Sequence, residues 1–592
     1  MAGRSADEVR EGLHQLALRE LVRPARTSSV EGQAEYLFWH ALIRDVAYGQ
    51  IPRASRAARH RAAAEWIEGM AGDRLADHAE LLAYHITEAI TLALAAGDER
   101  DAALEARAAR LLVLAGDRSA NLDLQRAELL YRRAHEFVAA DSVEHARILV
   151  KVAEVAFNTG KPEVARQDLE AAAERLEAGG DAVGAGSAFS QLARIYFALG
   201  GTDRMEGALR RALELLESLP PGPELVDAYG RMAVLVAFQG RRPEESIAWA
   251  DKSIELAEQL EWKGREVLNA RGWRGFMRCE LGDLDGIADL ELALAEALEL
   301  GLVGAVSGYV NLAGATWRQR GPAAALDLYR EAIAFAERRG MAPGWPQAEA
   351  CWMLYDLGLW DELSGSADVV RRRSEVHGRG QPYAIASTYL AQVLARRGAA
   401  ADAAAVMDDT LRRARGIEDP QVLGPALVAS ALVEEARGDL SSSRARIEEW
   451  DVATHDRPYF RAQNLADAVR IACAAGDLAL AERLREGVVT AAERDRLSDL
   501  TARAAIAEAK GDLAGAQASY DAAAVDWKEL GCVLEHGLAL LGSARCLVAD
   551  GQAAEASEPL EEARQIFARL DAQPLLRVVE DIVGSQRSAT AG

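Results

Sequence analysis

Apolar positions at helical spacing dominate the chain from about residue 100 onward, and they are interrupted on a regular beat. A glycine follows an apolar helical stretch at Gly116, Gly160, Gly200, Gly240, Gly282, Gly321, Gly358, Gly398, Gly438, Gly476, Gly511 and Gly551, at spacings of 35 to 44 residues. Seven residues earlier stand Ala109, Ala153, Ala193, Ala233, Gly275, Gly314, Cys351, Ala391, Ala431, Val469, Ala504 and Ala544, and eleven of these twelve are small. Glycine accepts the left-handed turn that ends a helix, and a small residue two turns before it lets a second helix approach closely. Several of those second helices carry alanines seven apart: Ala127 and Ala134, Ala165 and Ala172, Ala516 and Ala523, Ala556 and Ala563. The pattern predicts an all-α chain, an α-solenoid of helix pairs with a period of about 40 over residues 100–584.

The first hundred residues follow a different pattern. Ala6 to Arg23 is predicted as an amphipathic helix, with Val9, Leu13, Leu16, Ala17 and Leu21 on one face. A polar turn, Thr27 to Gln33, precedes an apolar and aromatic run, Tyr36 to Trp39, that reads as a strand returning from a hairpin. From His40 the spacing becomes helical through Ala41, Leu42, Val46, Ala47 and Tyr48, and Pro52 ends or kinks that helix. His60 to Gly97 supplies two or three more helices. The expected organisation is a partial winged helix and junction helix over 1–58, connecting helices over 59–99, the solenoid over 100–584, and a disordered tail over 585–592.

The glycine and small-residue register resembles the tetratricopeptide repeat in its longer version. That resemblance implies a right-handed superhelix whose concave surface binds peptides, protein segments or small ligands. A second resemblance rests on FxHALIRDVAYGxxPRxxRxxxH from Phe38 to His60. It is similar to the junction between the winged helix of a STAND-type signalling ATPase and the helical repeats behind it, as in bacterial proteins that join a class III cyclase or a regulator domain to an ATPase. The resemblance implies that His40 approaches the phosphates of a nucleotide held by an ATPase module in cis or in trans. The sequence has no GxxxxGK[ST] phosphate loop, and its Gly160-Lys161 pair is followed by Pro162 in a repeat turn. The expectation is therefore that this chain by itself neither holds nor hydrolyses ATP, and that it needs no cofactor.

Charge narrows the partners. A formal charge of -24 repels a phosphate backbone and argues against nucleic acid as a general ligand. The first 60 residues carry nine Lys/Arg against seven Asp/Glu, so the acidity belongs to the repeats. The five cysteines are far apart, with no CxxC pair, which suits a reducing compartment. The start MAGRSADEVR has no apolar signal core, and no run approaches the roughly 18 apolar residues of a membrane span. The expected location is the cytoplasm.

Candidate chemistry is sparse. His78 and His85 lie seven residues apart, too far along a helix to share one metal ion, so a structural role is expected for both. GxSxG, HExxH and clustered Cys/His are absent. Six of the eleven tryptophans fall between Trp262 and Trp360, a stretch that also concentrates arginines. Within it Arg271, Arg274, Phe276, Arg278, Trp317, Arg318, Trp352 and Tyr355 are the expected partner or ligand groove, because arginine and aromatic side chains anchor binding surfaces and are not required to stack helices. The sequence thus reads as the non-catalytic interaction or sensing arm of an ATPase-type signalling protein, with a protein partner or small effector in its groove. The alternatives are an enzyme with a site in an all-helical groove and a DNA-associated regulator acting through the winged-helix remnant.

Overall fold

The computed structural model describes residues 5–26, 34–239, 242–377, 380–417 and 419–591. The chain divides into two compact units, Met1–Ile148 and Leu149–Gly592. The expected turn from Thr27 to Gln33 and the expected turn glycine Gly240 lie outside the described residues.

The first unit opens with α1 (Ala6–Leu18), started by a capping box in which Glu8 N donates to Ser5 Oγ and Ser5 N donates to Glu8 Oε2. The helix stops at Leu18 and does not reach Arg23. Glu20 takes a left-handed φ of 57°, and β1 (Val22–Pro24) then pairs antiparallel with β2 (Tyr36–Phe38), Val22 opposite Phe38. Pairing buries Val22, a β-branched residue that gains more from the hairpin than from another helical turn. There follow α2 (Ala41–Gly49), α3 (Arg53–Ala71), a 3-10 turn over Gly72–His78, α4 (Ala79–Leu94), α5 (Ala102–Ser119) and α6 (Leu124–His135). Gly116 lies inside α5 and ends no helix. A Cβ there would collide with the Tyr131 ring, so this glycine serves close packing of α5 on α6.

From α7 (Val143–Asn158), in which the second unit begins, the helices come in pairs. They are α7 with α8 (Pro162–Ala178), α9 (Ala182–Leu199) with α10 (Thr202–Leu216), α11 (Pro223–Gln239) with α12 (Pro243–Gln259), and α13 (Arg265–Glu280) with α14 (Asp285–Glu299). Next come α15 (Ala305–Arg320) with α16 (Pro322–Arg338), α17 (Gly344–Asp356) with α18 (Trp360–His377), α19 (Gln381–Arg396) with α20 (Ala400–Ile417), and α21 (Pro420–Ala436) with α22 (Leu440–Thr454). A short α23 (Pro458–Ala462) precedes α24 (Leu465–Ala474) with α25 (Leu478–Leu484), α26 (Glu493–Ala509) with α27 (Leu513–Leu530), and α28 (Val533–Ala549) with α29 (Ser557–Leu570). The final helix, α30 (Gln573–Ala591), runs through the residues expected to form a disordered tail, with Val579 buried and Ser585 Oγ bonded to Asp581 O at 2.7 Å. The result is an all-α repeat solenoid of tetratricopeptide-like pairs.

Glycine ends the first helix of a pair at Gly160, Gly200, Gly282, Gly321, Gly358, Gly398, Gly438, Gly476, Gly511 and Gly551, each with positive φ. Seven residues earlier, Ala153, Ala193, Cys351, Ala391, Ala431, Val469, Ala504 and Ala544 are fully buried. The packing they allow is tightest at Gly275, where a Cβ would meet the Gly286 carbonyl oxygen of α14 at 2.6 Å.

The same turn glycines do a second job, which sequence spacing does not announce. The unit winds so tightly that each pair meets the pair five further on: α15 packs on α26, α17 on α28 and α19 on α30. The contact is made at the turns. A Cβ on Gly200 would lie 2.6 Å from Ile417 Cα, one on Gly358 would meet Leu570 Cδ2 at 2.6 Å, and one on Gly321 would overlap the Leu530 carbonyl. Ala342 N donates to Asn158 O at 3.0 Å between two turns in the same way. Successive turns of this unit therefore pack directly on one another.

Candidate functional site

Two groups of side chains emerge from the stretch expected to form the groove. Arg271 pairs with Glu296 at 2.9 Å, Arg274 with Asp289 and Asp251 at 3.2 and 3.3 Å, and Arg278 with Asp289 and Asp283 at 2.8 and 2.7 Å. All three guanidiniums reach from α13 onto carboxylates of α14 or the turn before it and so tie the two helices of one pair together, and Arg274 alone also reaches Asp251 of α12 in the preceding pair. The hydrogen bonds that Arg278 donates to Asp289 and Asp283 raise its pKa, against the opposing effect of burial. Phe276, half-buried, packs edge-on to Trp273 at 5.7 Å and stands against Gly314 of the next repeat.

Trp317, Arg318, Trp352 and Tyr355 belong to a second, deeper group. Arg318 is buried and forms short ion pairs with Glu280 of α13 and with Asp495 of α26, itself wholly buried. This corrects the expectation that arginines here are unnecessary for stacking: Arg318 joins one turn of the superhelix to the next. Beside it, Trp317 Nε1 donates to Asp356 Oδ2 at 2.8 Å, and Arg494 of α26 straddles the same carboxylate with its two Nη2 contacts at 3.2 Å. The Arg494 guanidinium also lies 4.6 Å from the Trp317 ring centroid. Trp317, Trp352 and Tyr389 form a continuous aromatic series with centroids 4.8 and 5.4 Å apart, and Tyr355 stacks on Trp360.

Of these, Trp352, Tyr355, Asp356, Tyr389 and Arg494 border a cavity of about 30 Å³, which Gln392, Asn464, Asp467, Ser498 and Glu535 also line. Its charges are mutually satisfied. Burial works against the Asp467 carboxylate, yet Arg470 at 2.8 Å and Arg396 at 3.0 Å hold its pKa below the usual range. Arg470 also takes both oxygens of Glu535. The tyrosine hydroxyls are the exception: those of Tyr355 and Tyr389 are both buried without a hydrogen bond among the described residues, and burial raises the pKa of each. A cavity of this size has room for about two water molecules. It suits a polar ligand group only if the surrounding turns move apart.

Sequence reasoning missed Asp356, Tyr389, Asp467, Arg494, Asp495 and Glu535. Arg494 and Asp495 sit in a Glu-Arg-Asp-Arg run that reads as a solvated helix start. Only the return of α26 against α15 puts them inside.

In the first unit His40 caps α2: its Nδ1 accepts from Leu42 N at 3.2 Å, and the residue is exposed. Nearby, Tyr48 of α2, His60 of α3 and His85 of α4 form a chain, with Tyr48 Oη to His60 Nε2 at 2.7 Å and His60 Nδ1 to His85 Nδ1 at 2.9 Å. Burial lowers the pKa of both histidines. His78 ends the 3-10 turn and stays apart from this chain. Among the described residues no group of three or more His, Cys, Asp or Glu could hold a metal ion. None of their helices is long and apolar enough to cross a membrane.

No family model matches the chain, and no curated protein matches it significantly. Among solved structures, it is similar to a Rap protein complexed with competence and sporulation factor, at 14% identity and a TM-score of 0.45 over 60% of this chain and 100% of that one. A STAND protein with a tetratricopeptide repeat sensor from Pyrococcus horikoshii aligns at 15% identity and a TM-score of 0.34, over 75% of this chain and 58% of that one. BtubC from P. vanneervenii aligns at 18% identity and a TM-score of 0.29, over 41% of this chain and 92% of that one. Likenesses this distant carry no argument about function.

Proposed function

We propose that the chain is a non-catalytic interaction and sensing arm, which engages a protein segment or small effector through the inner face of its second unit and serves an ATPase-type signalling module in cis or in trans. The observation that carries the reading is the polar cavity beside Trp352, with the buried, unpartnered hydroxyl of Tyr389 on its wall. Stacking helices needs no such group, and an unpaired buried hydroxyl costs roughly 1–3 kcal/mol. A ligand that supplied its missing partner would recover part of that energy. Since the cavity now holds only water-sized groups, the ligand must favour a state in which adjacent turns have separated, and its differential affinity sets how far that equilibrium moves. Arg318 and Arg494, which span the turns, are the ties that opening would loosen.

The ATPase link rests on the resemblance at Phe38 to His60 and on an exposed apolar surface in the same segment. Phe38, Trp39, Leu42 and Val46 are 43%, 55%, 67% and 61% exposed, a surface suited to covering by another module. The test is site-specific photo-crosslinking in the cell of origin, with the photoreactive residue at Gln392 inside the cavity or at Val452 on the exposed surface. A partner or effector crosslinked from Gln392 and not from Val452 is the expected outcome. Crosslinks from Val452 alone would sink the reading.

A further inference from the structure

Arg265 at the start of α13 forms an ion pair with Glu154 of α7, three pairs earlier. A contact over that interval is made across the inside of the turn, so these residues face the lumen. Around it lie Asp227, which accepts from Ser190 Oγ at 2.6 Å and from Arg231 Nε at 2.7 Å, and Glu266, which takes Arg265 Nε at 3.3 Å. Every carboxylate of the cluster is thus taken by Arg231 or Arg265.

Arg194 of α9 has none. Its Nη2 donates to the neutral Asn158 Oδ1 at 3.0 Å and its guanidinium lies 4.4 Å over the Phe157 ring. No carboxylate comes within ion-pair distance of it among the described residues, although Arg231 and Arg265 are both near enough to act on it. Burial first, then Arg231 and Arg265, bring its pKa down to about 10, against the opposing pull of Glu154 and Asp227, neither of which is close enough to pair with it directly. Phe197, one helical turn on, faces Trp345 at 6.4 Å, so flat apolar surface adjoins the cation.

We infer that Arg194 is the anchor of an anion subsite on the lumen wall, built to take one carboxylate of a ligand with an aromatic or apolar body. The inference rests on the proposed use of the inner face and names the chemistry it selects. Three guanidiniums already face three carboxylates, so one added negative charge is tolerated where a phosphate dianion would repel Asp227 and Glu154. A planar guanidinium with unused donors also matches a carboxylate in two-point geometry.

The experiment is calorimetric titration of the full chain with N-acetyl-phenylalanine, its carboxamide, and inorganic phosphate. Saturable binding of the acid, with none of the amide or phosphate, is expected, and Arg194→Gln should weaken it by at least about tenfold. That variant should keep its melting temperature, because removing Arg194 orphans no carboxylate. If it does not fold, protection of Arg194 in the unaltered chain from phenylglyoxal by the acid, read by peptide mass spectrometry, replaces it. Equal binding of acid and amide, preference for phosphate, retained binding by Arg194→Gln, or no protection would overturn the assignment. These measurements need only the isolated chain. Their failure therefore leaves the crosslinking test of the cavity intact, and a negative crosslinking result leaves them readable.

Discussion

The start of the molecule and the middle of its solenoid treat apolar side chains in opposite ways. In α1 and α2 no described residue is buried, and Leu18, Leu42 and Val46 each keep more than half their surface exposed at 66%, 67% and 61%. In α19 and α21 nearly every residue is buried, polar ones included: Gln381, Ser387 and Thr388 are 0–1% exposed. The helices α1 and α2 are amphipathic, whereas α21 is apolar over most of its surface. The number of layers differs as well, since a helix such as α19 is covered by its pair, by its neighbours and by α30, five pairs on. Burial in a repeat protein thus measures position in the array as much as hydrophobicity.

This difference should be greatest where a charge has been drawn inside. Arg318→Ala leaves Glu280 and the wholly buried Asp495 without their cation, and a loss of about 3–5 kcal/mol in chemical denaturation is expected. A loss below about 1 kcal/mol, the value of an exposed pair, would mean the turns do not close on each other as described. Arg278→Ala, whose partners are closer to solvent, should fall in that lower range.

Glycine separates turn-to-turn contact from simple helix ending. Gly438 has a φ of 82° and nothing within 4 Å of a Cβ, so Gly438→Ala should cost only the left-handed backbone penalty of about 1–2 kcal/mol. Gly200→Ala carries that penalty and an overlap with Ile417, and should exceed it by roughly 1–3 kcal/mol. Equal melting temperatures for the two variants would remove the second role assigned to these glycines.

A smaller effect should appear as pH dependence confined to the second unit. Burial, reinforced by nearby Asp419, raises the Glu349 pKa to about 7, while burial raises Asp419 to about 6. An acid whose folded pKa lies above its unfolded value favours the folded state when protonated. That contribution is complete below the unfolded value near 4.5 and is lost as pH rises to about 7. Glu349→Gln should therefore flatten stability between those limits and raise it by roughly 1–2 kcal/mol at pH 8. A variant as pH-sensitive as the parent would show that Glu349 is ionised in the fold.

The smallest effect belongs to the first unit. Leu42→Ser should change stability by no more than about 0.5 kcal/mol, because its side chain is two-thirds exposed, and should act instead on docking of any module that covers α2. A loss of several kcal/mol would show that α2 is packed in solution.

Much of the fold was legible because its signals are local. The glycine and alanine register located ten of twelve helix ends, Gly116 being a packing glycine and Gly240 lying outside the described residues. The hairpin was readable from its flanking residues, whereas the end of α1 was not, since strand pairing of Val22 with Phe38 overrode the helical spacing of Leu21. For the candidate site, Trp317, Arg318, Trp352 and Tyr355 were located as a group by the local density of tryptophan and arginine. Arg271, Arg274 and Arg278 carry the same signal and mainly tie α13 to α14 within one pair, Arg274 alone reaching the pair before.

By itself, the amino-acid sequence determined the helices, their pairing and their period, because those depend on residues within about 40 positions of each other. The tertiary structure alone decided which charged residues are inside. Asp356 and Arg494 are 138 positions apart, and Arg318 and Asp495 are 177 apart. Their meeting depends on the small rotation between successive pairs, summed over four or five of them. An error of a few degrees per pair, invisible in any one repeat, would leave the same residues on an open, solvated groove.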